Sequence, residues 1–287
     1  MDRRTSPLEQ PLAGGVSNSG LVVRVGDTVH RPQSAGSPAV HALLQHLERV
    51  GFDGAPRYLG QDSDGREVLS YVEGRAATKE PHEHWALTDE ALRSVARLLR
   101  RFHDAARSFD PSGHDWPTAV PAWFRDGLVS HNDVNLDNVV FRGGEAVALI
   151  DFDLASPGSA VWDVALAARL WTPLRADADV PDERRGQREH RLRVFVDAYG
   201  LPERDRRRLV EAALETHHWC YSIVQAGAAR GVPGYVRYWS PRAQARADRV
   251  QRWLTAHAGR LDAALGSAPV RRGPAAPAPA TSGSPGS

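Results

Sequence analysis

A change of hydrophobic period near Gly74 divides this chain into two unlike halves. From Gly14 to Gly74 the apolar residues mostly fall in short, strand-like runs. Leu21, Val22, Val23 and Val25 form one, and Val29 follows the turn pair Gly26-Asp27. One stretch differs: Ala39 to Val50 sets Val40, Leu43, Leu44 and Leu47 at helical spacing. Tyr58 and Leu59, the turn Asp62-Ser63-Asp64-Gly65, and Val68, Leu69, Tyr71 and Val72 then predict a further strand pair. A small sheet carrying one helix is the expectation for this half.

Beyond Gly74 the period is helical. Thr88 is placed to cap a long amphipathic helix through Ala91, Leu92, Val95, Leu98, Leu99, Phe102 and His103. Helices are expected again from Val161, then over Gln187 to Tyr199, Glu203 to Gly227 and Arg242 to Leu265. Between them Val139 to Phe141 and Ala146 to Ile150 read as a hairpin closed by Gly143-Gly144. The expected fold class is therefore α+β and bilobal. A flexible N-terminus (1–12) precedes a β-rich N-lobe (13–74) and a larger helical C-lobe (75–266). The tail (267–287) is mostly Pro, Ala, Gly and Ser, too poor in apolar surface to offset its ordering entropy.

Composition removes several function classes. The net charge of +1 gives no general case for nucleic acid or an acidic membrane as partner. Arg204, Arg206, Arg207 and Arg208 alternate with acids and read as a solvated helix face. The single cysteine, Cys220, excludes an internal disulfide, and its neighbours Trp219, Tyr221 and Ile223 suggest a buried, inert thiol. No apolar stretch approaches bilayer-spanning length, and Met1 to Leu12 lacks the apolar core of a signal peptide. A cytoplasmic location is expected; no oligomeric state is legible.

The chemistry concentrates between Ser130 and Asp153. His131-Asn132-Asp133-Val134-Asn135-Leu136-Asp137-Asn138 precedes the hairpin, and Ile150-Asp151-Phe152-Asp153 follows it. Phosphoryl transfer needs a group to orient an acceptor hydroxyl, together with oxygen ligands for Mg²⁺ on the phosphates. An Asp and an Asn five positions apart in one loop supply both, and a hairpin returns a second Asp to the Asn. Metal-assisted hydrolysis by Asp133, Asp137, Asp151 and Asp153 is the alternative chemistry for the same loop.

This pattern resembles the aminoglycoside phosphotransferase and choline kinase branch of the protein-kinase-like fold, over roughly Gly14 to Leu265. The resemblance implies a two-lobed phosphotransferase using ATP (or GTP) and Mg²⁺, with Asp133 as catalytic base and Asn138 and Asp151 as metal ligands. His131, Asp153 and Asp163 are implied as structural supports, Asp163 buttressing the catalytic loop. Leu99 to His103 resembles the family's Leu-His helix end. Val68 to Gly74 resembles its hinge strand, which assigns the nucleotide base to Ser70, Tyr71 and Val72.

The N-lobe departs from the pattern. Gly14, Gly15 and Ser17 stand where a phosphate-covering loop belongs, and a plain turn also explains them. The only lysine, Lys79, lies beyond the hinge, so Arg31 is the candidate phosphate ligand, with His41 or Glu48 as partner from the facing helix. A missing Lys–Glu pair keeps a second reading open, a pseudokinase that binds a ligand or partner without turnover. The acceptor that the resemblance implies is a small molecule bearing a hydroxyl, an antibiotic or a metabolite. Its candidate contacts are Trp162, Trp171, His217, His218, Trp219, Tyr221, Tyr235, Tyr238 and Trp239, at least half of them expected to be packing. Glu211, Glu215 and Asp248 are diluted by arginines, so a polycationic acceptor is not implied.

Overall fold

The computed structural model describes residues 9–12, 20–78 and 80–266. Its first half is a five-stranded antiparallel sheet in the order β1-β2-β3-β5-β4. The strands are β1 (Gln10–Pro11), β2 (Val23–Val25), β3 (Thr28–Arg31), β4 (Tyr58–Gln61) and β5 (Glu67–Ser70). Helix α1 (Ser37–Arg49) buries Val40, Leu43, Leu44 and Leu47, the residues whose spacing foretold it. Strand β5 ends at Ser70, short of the expected Gly74. Tyr71 instead donates its amide to the Asp27 carbonyl (2.8 Å), and the chain runs on as an extended connector.

Gly74 has a physical reason to be glycine. Its φ is +148°, and a Cβ there would meet Val140 Cγ1 at 2.4 Å and the Phe141 carbonyl oxygen at 2.5 Å. That close approach lets Arg75 and Phe141 exchange both backbone hydrogen bonds, at 2.9 and 2.8 Å. The connector between the lobes is thereby fastened to the hairpin that carries Phe141.

The second half is helical. A short α2 (His84–Leu87) leads to α3 (Asp89–Ala106), where Thr88 Oγ1 accepts the Ala91 amide as the sequence suggested. Strands β7 (Val139–Arg142) and β8 (Glu145–Leu149) form the hairpin, and β6 (Leu128–Ser130) pairs with β9 (Ser156–Gly158). Then come α4 (Ala160–Trp171), α5 (Arg188–Tyr199), α6 (Glu203–Ala229), α7 (Pro233–Tyr238) and α8 (Pro241–Ala264). One core runs from α1 through α3 into α4, α5 and α6, joining Leu43, Leu99, Phe102, Trp162 and Leu209. The β6–β9 pair, α2 and α7 were not foreseen. Each is six residues or fewer per segment, too short for a periodic signal. Among the described residues no helix is long and apolar enough to cross a membrane.

Candidate active site

The loop after β6 is held from below by one carboxylate. Asp163, in the first turn of α4 and fully buried, accepts the amides of His131 (2.7 Å) and Asn132 (3.0 Å) and the Nε2 proton of His103 (3.0 Å). Burial alone would raise its pKa; those donors outweigh it and hold the group below the ordinary carboxylate value. Asn132 is left-handed (φ 64°), and its side chain is tied to the Leu154 carbonyl, Ser156 Oγ and Trp162 Nε1. His131 Nε2 lies 3.1 Å from the Ile150 carbonyl, and His131 Nδ1 accepts the Asp133 amide (3.2 Å). Burial lowers the His131 pKa, which suits a neutral ring that donates at Nε2 and accepts at Nδ1.

The hairpin then closes the site. Gly143 (φ 61°) and Gly144 (φ 88°) give the two left-handed residues that a tight hairpin of the right twist requires. Val139 pairs with Leu149, so the next residues meet: Ile150 donates its amide to the Asn138 carbonyl at 2.9 Å. Asn138 Nδ2 donates to Asp133 Oδ2 (2.9 Å), and Asn135 Nδ2 to Asp133 Oδ1 (3.1 Å). Asp151, on the far side of the hairpin, is left-handed at φ 63°, a conformation that costs a non-glycine residue about 1–3 kcal/mol and clusters at functional sites.

The charges here are crowded. Burial first, then the carboxylates of Asp151 and Asp137, push Asp133 well above its ordinary pKa. Burial and Asp151 push Asp153 up to about 7, against the pull of Arg31. Arg31 answers this crowding: it bonds Asp151 Oδ1 (2.9 Å) and Asp153 Oδ1 (2.8 Å), and its Nε donates to Glu67. Glu67 lies directly across the β3–β5 ladder from Arg31 and also bonds His41 Nε2. The expected helix partner is therefore corrected. The carboxylate paired with Arg31 is Glu67 on a strand; His41 holds that carboxylate, and Glu48 instead faces Arg57 at 3.8 Å.

Three cavities surround these groups. One of about 240 Å³ between the lobes is lined by Val29, Arg31, Leu69, Ile150 and the connector residues Ser70, Tyr71 and Val72, and it reaches Asn138 and Asp151. A second, about 350 Å³, is lined by Asp133, Asn138 and Asp151 on one side and by Arg169, Cys220, Tyr221, Tyr235 and Tyr238 on the other. A third, about 340 Å³, adjoins it through Asn135, Asp137, Arg169, Tyr221 and Tyr238.

The sequence-predicted residues Asp133, Asn138, Asp151 and Asp153 thus share one cavity, while Arg31, Ser70, Tyr71 and Val72 line the cleft beside it. His131 and Asp163 lie beneath them. Gly14, Gly15 and Ser17 fall outside the described residues. Of the acceptor candidates, Trp162, Trp171 and Trp219 are core, His218 is exposed, and Tyr221, Tyr235, Tyr238 and His217 reach a cavity. Cys220 does too, accepting from Arg169 NH2 at 3.2 Å, and burial raises its pKa as expected of an inert thiol. Sequence reasoning missed Glu67 and Arg169. A lone arginine inside the apolar run Val164 to Trp171 was the available signal for the second.

Among the described residues no group of three or more His, Cys, Asp or Glu side chains is arranged to hold a metal, so a four-carboxylate hydrolytic cage finds no support. Mg²⁺ asks for less, one or two protein oxygens beside water and phosphate. Asn138 and Asp151 fit that need: with Nδ2 turned to Asp133, the Asn138 side-chain oxygen has no hydrogen-bond partner among these residues. A divalent cation would also relieve the carboxylate crowding that raises Asp133 and Asp153.

Comparison with known proteins places this geometry. Residues 9–126 and 114–210 match the phosphotransferase enzyme family. A trifolitoxin immunity protein of Rhizobium leguminosarum bv. trifolii is 35% identical over 209 residues, 68% of this chain and 75% of that one. A homoserine kinase of Methylobacillus flagellatus is 24% identical over 235 residues, 66% of this chain and 69% of its own. Among solved structures, a choline/ethanolamine kinase family protein from Mesorhizobium loti superposes with a TM-score of 0.60 at 16% identity, covering 92% of this chain and 94% of that one, a likeness of fold. The match along the chain and the 35% identical relative together establish that the chain belongs to the phosphotransferase enzyme family.

Proposed function

We propose that this small-molecule kinase transfers the γ-phosphoryl group of ATP, or GTP, to an alcohol oriented by Asp133. The observation that carries the reading is the hairpin closure that sets Asp133, Asn138 and Asp151 on one cavity beside the interlobe cleft. Asp133 accepts the hydroxyl proton, held toward the acceptor by Asn135 and Asn138. Asn138 and Asp151 would hold Mg²⁺, which when bound would neutralise charge on the transferring phosphoryl oxygens. Val29, Leu69 and the connector Ser70 to Val72 seat the nucleotide base. Arg31 exchanges Asp151 and Asp153 for phosphate oxygens while Glu67 keeps it in place. Asp163 and His131 fix the loop so that Asp133 needs no rearrangement.

The Arg31–Glu67 pair favours a working kinase over a pseudokinase, since the cation and carboxylate that seemed missing are both present on the sheet. An ATP-consumption assay against hydroxylated metabolites and antibiotics tests the reading. Asp133→Ala should lower kcat by about a hundredfold to ten-thousandfold while Mg²⁺-ATP binding persists. Nucleotide binding without product from any alcohol would favour the pseudokinase. Antibiotic resistance is one biological role compatible with the relative named as an immunity protein.

A further inference from the structure

Arginines gather on the acceptor side of the site, and one of them is buried without a counter-ion. Arg169, in the last turn of α4, is 8% exposed and faces the cavity that holds Asp133. Among the described residues it has no carboxylate within ion-pair distance, and its Nε has no hydrogen-bond partner at all. Its other contacts are neutral: NH1 donates to His217 Nδ1 (2.9 Å) and NH2 to Cys220 Sγ (3.2 Å). His217 is in turn fixed by its Nε2 bond to the Ala247 carbonyl (2.9 Å), and burial with Arg169 lowers its pKa to about 4, so it brings no compensating charge.

The adjoining cavity repeats the imbalance. Arg169, Arg175, Arg184 and Arg246 line it, against Glu80 and Asp137. Arg184 is neutralised by Asp182 (2.6 Å), and Arg175 is 3.5 Å from Glu80 with its Nε unpartnered. Arg246 is half-buried and has no ion-pair partner among the described residues. Burial first and Arg246 next push the Arg175 pKa down, as expected of cations collected without their anions. An uncompensated buried guanidinium is costly, and a fork of fixed donors is matched to carboxylate or phosphate oxygens.

We infer that the alcohol phosphorylated here carries an anionic group, a carboxylate or a phosphate, which Arg169 and Arg246 bind while the hydroxyl faces Asp133. The inference rests on the kinase reading for its hydroxyl and on the arginines alone for its charge. Cationic acceptors such as choline are disfavoured by the same residues. Tyr221 and Tyr238, shared by both cavities, line the passage between hydroxyl and anion.

The test titrates alcohols of matched size against the protein saturated with Mg²⁺-ADP, at constant ionic strength, reading thermal stabilisation. Glycerate carries a carboxylate, glycerol 3-phosphate a phosphate, glycerol no charge and choline a cation. At least one anionic alcohol should bind about tenfold or more tightly than glycerol and choline, the least that one charged hydrogen bond supplies. The ranking of glycerate against glycerol 3-phosphate identifies the anion. Arg246→Gln, at a half-buried side chain without an ion-pair partner among the described residues, should weaken that binding about tenfold, and Arg169→Met should weaken it further. Equal binding across the charge classes, no anion binding, or anion binding unchanged in Arg246→Gln would overturn the inference. Phosphorylated product is followed separately by phosphorus NMR. Anion binding without product would remove the kinase reading and leave the anion site standing; turnover of glycerol or choline without anion binding would do the reverse.

Discussion

Replacing Arg31 with alanine removes a cation shared by three carboxylates, and the structure sets how much that should cost. The Arg31 and Glu67 side chains are 9% and 2% exposed, so their pair is buried, whereas Asp151 and Asp153 keep 23% and 31%. Breaking a buried pair by deleting one partner costs about 3–5 kcal/mol, because the other charge stays behind. The two more exposed pairs add at most about 1 kcal/mol each after solvent screening. His41 remains bonded to Glu67 and moderates the loss, which places the expected effect near the lower end, about 3 kcal/mol. For a chain of this size that is a drop in Tm of roughly 6–12 °C.

The assay is urea unfolding followed by fluorescence of the eight tryptophans, near neutral pH and without metal. Arg31→Ala combined with Glu67→Gln should recover part of the loss, since the stranded charge is then gone. Mg²⁺ alone should stabilise Arg31→Ala more than the parent protein, because Asp151 no longer has a competing cation. A variant that unfolds within about 1 kcal/mol of the parent, below the buried-pair range, would refute the reasoning.

Three further outcomes follow from the same geometry. Asp163→Ala strands the His131 and Asn132 amides and His103, and should cost about 3–6 kcal/mol, read as a urea midpoint shift with loss of turnover. Asp153 has its pKa raised by burial and Asp151, so its contribution to stability is full below the ordinary value of 3.8 and is lost as pH rises toward about 7. Without metal, the parent protein should therefore lose stability relative to Asp153→Asn across that range, and a parallel pair of stability–pH curves would contradict it. Gly74→Ala forces a Cβ onto Val140 and the Phe141 carbonyl and should cost about 1–3 kcal/mol in thermal melts, with weaker Mg²⁺-ATP binding.

The order of strands, helix and strands before Gly74, and of helices around one hairpin after it, was legible because each long element carries its own period. The candidate site was legible because Asp133, Asn138 and Asp151 are tied together by a local loop and a glycine turn. Glu67 was not. It meets Arg31 only through the β3–β5 register, between strands separated by α1 and β4, and no local pattern states which residues of non-consecutive strands face each other. Arg169 and Arg246 are further cases of the same kind, on α4 and α8, brought to one cavity by packing around α6.

The near-zero net charge concealed how charge is distributed. Asp133, Asp151 and Asp153 crowd one wall of a single cavity, where burial raises two of them, and Arg169 faces the same space without an anion. Acid and base could have cancelled by pairing across the cavity, yet Arg31 approaches the carboxylates from the sheet while Arg169 is held away by His217 and Cys220. Two unmet demands of opposite sign therefore persist in one site, each costly until a ligand meets it. On the proposed reading, a metal-bound nucleotide would answer the acidic wall and an anionic alcohol the basic one. Binding both at once would then place the hydroxyl between them, beside Asp133, with each ligand's charge compensated by protein groups rather than by the other substrate.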